Sequence, residues 1–126
     1  MGRVILDTSV LIAINNAGDS HYKSATSALL EDAPWVGISV ISYSEFLVGF
    51  TERVDFDEFS SRIFKKFEEI FNVDAEIAAL GAQIRSQKKL KLPDSLISAT
   101  AVVKKCELWT FDVSLAKSHQ GSRLLV

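Results

Sequence analysis

Short apolar runs alternate with stretches patterned for helices along almost the whole of this chain, and that alternation restricts the fold more than any other feature. Arg3 to Leu6 reads as a strand ending at Asp7, and Ser9 to Ile14 as a helix opened by hydroxyl caps. After the turn-forming Asn15 to Ser20, His21 to Asp32 has the alanine and leucine content of a second helix. Trp35 to Val40 reads as a second strand, and Phe46, Leu47 and Phe50 recur at helical spacing within Ile41 to Phe50. Phe56, Phe59, Ile63, Phe67 and Ile70 predict one amphipathic helix with Lys65, Lys66 and Glu68 between them. Asp74 can cap a helix carrying Ile77, Leu80 and Ile84, and Pro93 can open another through Ala99 and Val103. Leu108 to Phe111 and Arg123 to Val126 read as terminal strands around a short helical or turn segment, Ser114 to Gln120. The expected fold is α/β, a mainly parallel central sheet flanked by helices.

With 126 residues the chain can bury one core but hardly two, so a single domain over residues 1–126 is expected. The single Cys106 makes no internal disulfide, and Met1 to Asp7 lacks the long apolar run of a secretory signal, so the expectation is a cytoplasmic protein. No run approaches the length of a membrane span. A formal charge of -2 gives no global attraction to nucleic acid, and binding of that kind would need a local basic patch or bound cations.

In a parallel α/β sheet, side chains at the carboxyl ends of strands converge on a crevice where ligands bind. Asp7 and Asp112 should sit at two such ends, Glu45 interrupts an apolar helix, and Asp94 lies in the first turn after Pro93. Each acid also fits a purely structural role. Asp7 and Asp112 suit helix caps, Asp94 complements a helix dipole, and Glu45 faces solvent if its helix is rotated. Singly those roles suffice; together, four acids inside or beside apolar segments suggest one site.

Two carboxylates about 4 Å apart repel by roughly 4 kcal/mol at an effective dielectric of 20, so four converging acids call for a cation. Carboxylate oxygens without His or Cys suit magnesium or manganese, and neither His21 nor His119 has ligand spacing with them. Such ions activate water and stabilise phosphate oxyanions, which points to phosphodiester hydrolysis. Without these four acids the formal balance is 14 minus 12, or +2, which admits a polyanionic substrate.

Four segments in order resemble the motifs of PIN-domain ribonucleases: Val4 to Ile12 around Asp7, Ser39 to Gly49 around Glu45, Leu92 to Ala101 around Asp94, and Leu108 to Asp112. They span nearly the whole chain, and the sequence is most similar to the small VapC-type toxins of prokaryotic toxin-antitoxin pairs. The resemblance implies a PIN-like three-layer sandwich and metal-dependent endoribonuclease activity with Mg2+ or Mn2+. It implies Asp7, Glu45, Asp94 and Asp112 as metal-site acids, with Ser9 or Thr8 orienting a ligand or water. An antitoxin partner and a homodimer are implied as well. The sequence departs from the family pattern at Leu115 and Ala116, where many members carry a further acid followed by Phe, and at Phe46, where Leu is usual.

Arg85, Lys88, Lys89 and Lys91 form a basic cluster just before Asp94, either an RNA contact or a solvated helix end. The phenylalanines of 56–71 read as core, with a groove for a partner helix as the alternative. Trp35 and Trp109 read as core aromatics and Cys106 as a buried small hydrophobe. Ser9 stands where a haloacid-dehalogenase-type phosphotransferase needs a second Asp, and no strand-end Lys supports a receiver domain. The rival from another class is a catalytically silent PIN-fold module that binds RNA or protein without cutting.

Overall fold

Five strands, β1 (Arg3–Leu6), β2 (Trp35–Ser39), β3 (Glu69–Phe71), β4 (Glu107–Thr110) and β5 (Arg123–Leu124), form one sheet in a computed structural model that describes residues 2–126. They lie in the order β3-β2-β1-β4-β5, and every pairing is parallel. All carboxyl ends therefore open on one edge. The chain builds outward from β1 through β2 to β3, then crosses back to place β4 on the other side of β1. That reversal puts the topological switch point between β1 and β4, directly above Asp7 and Asp112.

Successive side chains of a strand face opposite ways, and β1 shows it: Val4 and Leu6 join one buried cluster and Ile5 the other. The first cluster packs Ile38 and Trp109 against α1 (Thr8–Ile14), α2 (Tyr22–Asp32), α3 (Val40–Leu47) and α4 (Phe56–Phe64). The second packs Phe71 and Leu108 against α6 (Leu92–Lys104) and α7 (Val113–Ser118) through Ile97, Ala101 and Leu115. Helices on both faces of a parallel sheet make the expected three-layer sandwich.

Outside this sandwich layer, α5 (Ala75–Lys88) lies along α6, where Gly81 permits close approach: a Cβ there would stand 2.7 Å from Leu96 Cδ2. Asp74 caps α5 by accepting from the Ile77 amide at 2.9 Å, and Pro93 sits in the first turn of α6. Both helices end on a lysine with left-handed backbone, Lys89 and Lys105, each at φ 57°.

One expected element is corrected. The helix read through Ile70 stops at Phe64, and Glu69–Phe71 is the edge strand β3. Phe67 and Ile70 keep a helical spacing by coincidence, while the Glu68 amide donates to the Val36 carbonyl and the Glu68 carboxylate accepts from the Val36 amide, steering the chain onto β2. Tertiary pairing outweighs local periodicity here. Smaller shifts occur elsewhere: Val40 begins α3 rather than ending β2, residues 48–50 form a 3-10 turn, and the last strand is only Arg123–Leu124. Ile63 is buried while Phe56, Phe59 and Phe67 pack partly exposed against the core, as the core reading expects, although Phe64 is exposed. Trp109 and Cys106 are buried, and Trp35 is half-buried. Among the described residues no helix is long and apolar enough to cross a membrane.

Candidate active site

Asp7 leaves the end of β1 almost wholly buried, at 3% exposure. A carboxylate survives there only if its oxygens are satisfied. Oδ1 accepts from Ser9 Oγ at 2.6 Å and from the Val10 amide at 3.1 Å, and Oδ2 accepts from Thr110 Oγ1. The expected capping role holds, since the Val10 bond caps α1, while the two hydroxyls fix the carboxylate at the strand end. Burial pushes the Asp7 pKa above the ordinary carboxylate range, and its hydrogen bonds to Ser9, Thr110 and Val10 partly offset that rise.

Asp112 follows β4 across the switch point and caps α7, its Oδ1 accepting from the Ser114 and Leu115 amides at 2.8 and 3.2 Å. Its own amide donates to Thr110 Oγ1 at 2.8 Å, so one threonine ties Asp7 to Asp112. Glu45 projects from α3, exposed, and accepts from Thr8 Oγ1 at 2.5 Å. Thr8 therefore orients Glu45, while Ser9 orients Asp7.

Asp94 reaches the same edge from the first turn of α6, half-buried. Burial raises its pKa most, then the negative charges of Asp112, Asp7 and Glu45 in that order, with Lys91 opposing them. All four sequence-predicted acids accordingly share one electrostatic neighbourhood. They do not form a closed cage: among the described residues, no three His, Cys, Asp or Glu side chains are gathered closely enough to hold an ion. Two of the acids spend oxygen lone pairs on helix caps, and two on hydroxyls supplied by α1 and β4.

The basic cluster divides. Arg85 Nη1 donates to the Leu90 carbonyl at 2.8 Å and braces the turn from α5 to α6, while the residue stays exposed. Lys88, Lys89 and Lys91 are exposed, and Lys91 faces Asp94. Thr110 is the residue that sequence reasoning missed. Its signal was a lone hydroxyl at the end of the apolar run Leu108-Trp109, one position before the bend into Asp112.

The PIN domain family model matches residues 4–118. Among solved structures, a toxin-antitoxin complex from Klebsiella pneumoniae is similar at 31% identity, with 90% of each chain covered and a TM-score of 0.75. VapC20 of Mycobacterium tuberculosis, described as a sarcin-ricin loop cleaving toxin, aligns over 91% of this chain and 94% of its own at 18% identity and a TM-score of 0.76. A DNA-bound VapBC from Salmonella typhimurium aligns over 98% and 97% at 17% identity, with a TM-score of 0.72. These last two likenesses bear on the fold. No curated protein matches the sequence. With acids in family order at the switch point of a parallel sheet and a family match over most of its length, this chain belongs to the PIN-domain family.

Proposed function

We propose that this protein is a Mg2+- or Mn2+-dependent endoribonuclease and the VapC-type toxin of a type II toxin-antitoxin pair. One observation carries the reading: Asp7 and Asp112 follow neighbouring strands and are tied through Thr110, while Glu45 from α3 and Asp94 from α6 come to the same edge, where burial and then the charges of Asp112, Asp7 and Glu45 raise the proton affinity of Asp94. Such mutual repulsion costs stability unless a cation relieves it. The donor set fits a hard divalent ion, since it consists of carboxylate oxygens with hydroxyls behind them. Both histidines are engaged elsewhere, His119 with Ser98 and His21 with Phe111.

Asp7, Asp94, Glu45 and Asp112 would hold the metal, which when bound supplies an activated water and a counter-charge for the phosphate oxyanion. The chain's own contribution is positional. Ser9 and Thr110 lock both oxygens of Asp7, Thr8 aims Glu45, and Asp94 closes the site from α6. Arg85, Lys88, Lys89 and Lys91 offer cations to flanking phosphates, Arg85 also bracing the turn at Leu90. The likeness to toxin-antitoxin complexes supports a cognate antitoxin as partner. So does a cavity of about 490 Å³ beside Glu45, lined by Ile12, Asn15, Phe46, Gly49 and Phe50. Homodimer formation and cytoplasmic residence accompany this reading.

The test is cleavage of RNA by purified protein with Mg2+ or Mn2+, abolished in Asp7→Asn and Asp94→Asn while both variants remain folded. Full activity in both substitutions rejects the site. A specific feature favours the silent-module reading: Leu115 is fully buried where a further acid stands in many members, so that position adds no charge. A wild type that takes up no metal by calorimetry and cuts no RNA decides for that module.

A further inference from the structure

Beside the carboxylates stands a pair of rings that the hydrolytic chemistry does not use. His21 lies on Phe111 with ring centroids 4.2 Å apart and planes 25° from parallel. Phe111 is the residue between Thr110 and Asp112, and its amide donates to Ser9 Oγ at 3.1 Å, the same hydroxyl that donates to Asp7. The inner ring is thus fixed to the acidic edge by its backbone and packs against the core.

His21 is held from the other side. Its amide donates to Asp19 Oδ1 at 2.8 Å, and that oxygen lies 3.8 Å from the ring Nδ1. The imidazole nevertheless keeps 50% of its side-chain surface in water. Among the described residues no third ring or cation is stacked on it. His21 precedes α2 without making a side-chain cap bond, so helix geometry does not account for the placement. A partly solvated ring, oriented by a carboxylate and backed by a second ring at the rim of the acidic edge, can extend its pile by one more flat group.

We propose that His21, backed by Phe111, is a stacking platform for an unpaired base next to the phosphate that the carboxylates engage. This rests on the nuclease reading above. Unstacked bases in loops pair readily with aromatic and imidazole planes, and every base offers a π-face, so the platform selects for an unpaired strand more than for a base identity. A regular duplex keeps its bases stacked on one another and has none to offer.

The experiment uses the full chain and a stem-loop RNA that the wild type cuts, with 2-aminopurine or an abasic residue on either side of the mapped cleavage position. Binding is read in EDTA, where hydrolysis is suppressed, and cleavage with Mn2+. His21→Ala is expected to weaken binding about tenfold and to remove the 2-aminopurine quenching, with the loss in KM rather than kcat. His21→Phe should restore both, which a merely structural role for the imidazole would not produce. On the abasic RNA, wild type and His21→Ala should bind alike. If the wild type cuts but is indifferent to base removal on both sides, or if His21→Ala loses as much affinity for the abasic RNA as for the intact one, the platform is overturned and the nuclease stands. A wild type that neither binds nor cuts RNA overturns both.

Discussion

The two edges of the same sheet treat charge in opposite ways. At the amino edge the charges that enter the packed region are accommodated by aromatic rings and opposite charge, although the buried Arg3 Nε has no hydrogen-bond partner among the described residues. The Arg3 guanidinium lies 4.4 Å over the Trp35 ring, Glu107 accepts from Trp109 Nε1 at 2.6 Å, and Arg123 pairs with Asp32 at 2.8 Å while lying over Trp109. At the carboxyl edge, burial and then nearby carboxylates raise the cost of ionising Asp7 and Asp94, with Lys91 the opposing cation at Asp94. Both edges are products of one folding reaction, so the imbalance at one of them is not a general failure of neutralisation. Folding stability shaped the first edge; the second carries a repulsion that the proposed cation would relieve.

The largest expected effect breaks this contrast at its strongest point. Asp7→Asn and Asp94→Asn should each lower RNA cleavage by about 10³-fold or more, since a metal-site acid supplies several kcal/mol of transition-state stabilisation. Their stabilities should part. Asp94→Asn removes a charge that three others repel, and in EDTA it should raise Tm by a few degrees, a gain below ~1 kcal/mol because the group is partly solvated. Asp7→Asn places an amide where two hydroxyls and the Val10 amide all donate, so it should lose stability. Saturating Mn2+ should raise the Tm of the wild type and not that of Asp94→Asn. A wild type whose Tm ignores Mn2+ would show that the carboxyl edge carries no relievable strain.

Thr110→Val comes next, since it leaves every acid in place and removes the hydroxyl shared by Asp7 and the Asp112 amide. Cleavage should fall about 10- to 100-fold, as for loss of a group that orients a metal ligand. Because Thr110 is fully buried, stability should fall too, by about 1–3 kcal/mol in urea unfolding. Unchanged kinetics would mean that Ser9 and Val10 suffice to hold Asp7. Arg3→Met, at the opposite edge, should cost about 1 kcal/mol from the lost stacking on Trp35 and leave cleavage untouched. Loss of activity there would erase the distinction between the edges.

Much of this contrast was legible before any coordinates, and the reason lies in where the signals sit. Asp7 and Asp112 each follow a short apolar run, so an all-parallel order places them together once β1 and β4 are neighbours. Pro93 and Asp74 mark helix starts through strong local chemistry, and both helices begin there. β3 was not legible: Glu69–Phe71 is an edge strand, set by its pairing with Gly37 to Ser39, a contact remote in sequence. The helix-like spacing of Phe67 and Ile70 concealed it. Thr110 escaped notice because a hydroxyl in a strand gives no period, and its value depends on Asp7, 103 residues away. The part of Arg85 in bracing the Leu90 turn was hidden likewise, since a basic run looks the same whether a cation faces water or a carbonyl.

The smallest effect separates the acidic edge from the interior by the sign of its response to pH. Burial lowers the pKa of His119 below its usual 6.5, with Ser98 Oγ 2.6 Å from its Nδ1, so the folded state favours the neutral ring. Below pH 6.5 the unfolded chain binds that proton more readily, and stability is lost as pH falls toward the depressed value. Asp94 has a pKa raised above 3.8, so its ionisation penalty is absent below 3.8 and grows as pH rises through the folded value. Acidification should therefore first destabilise the protein through His119 and then return part of that stability through Asp94. In urea titrations without metal, His119→Gln should flatten the upper limb alone, and Asp94→Asn only part of the lower limb, which it shares with Asp7. If either substitution flattens both limbs, the interior and the acidic edge are titrating as one coupled system, and the division between a neutralised scaffold and a strained site must be redrawn to include α7.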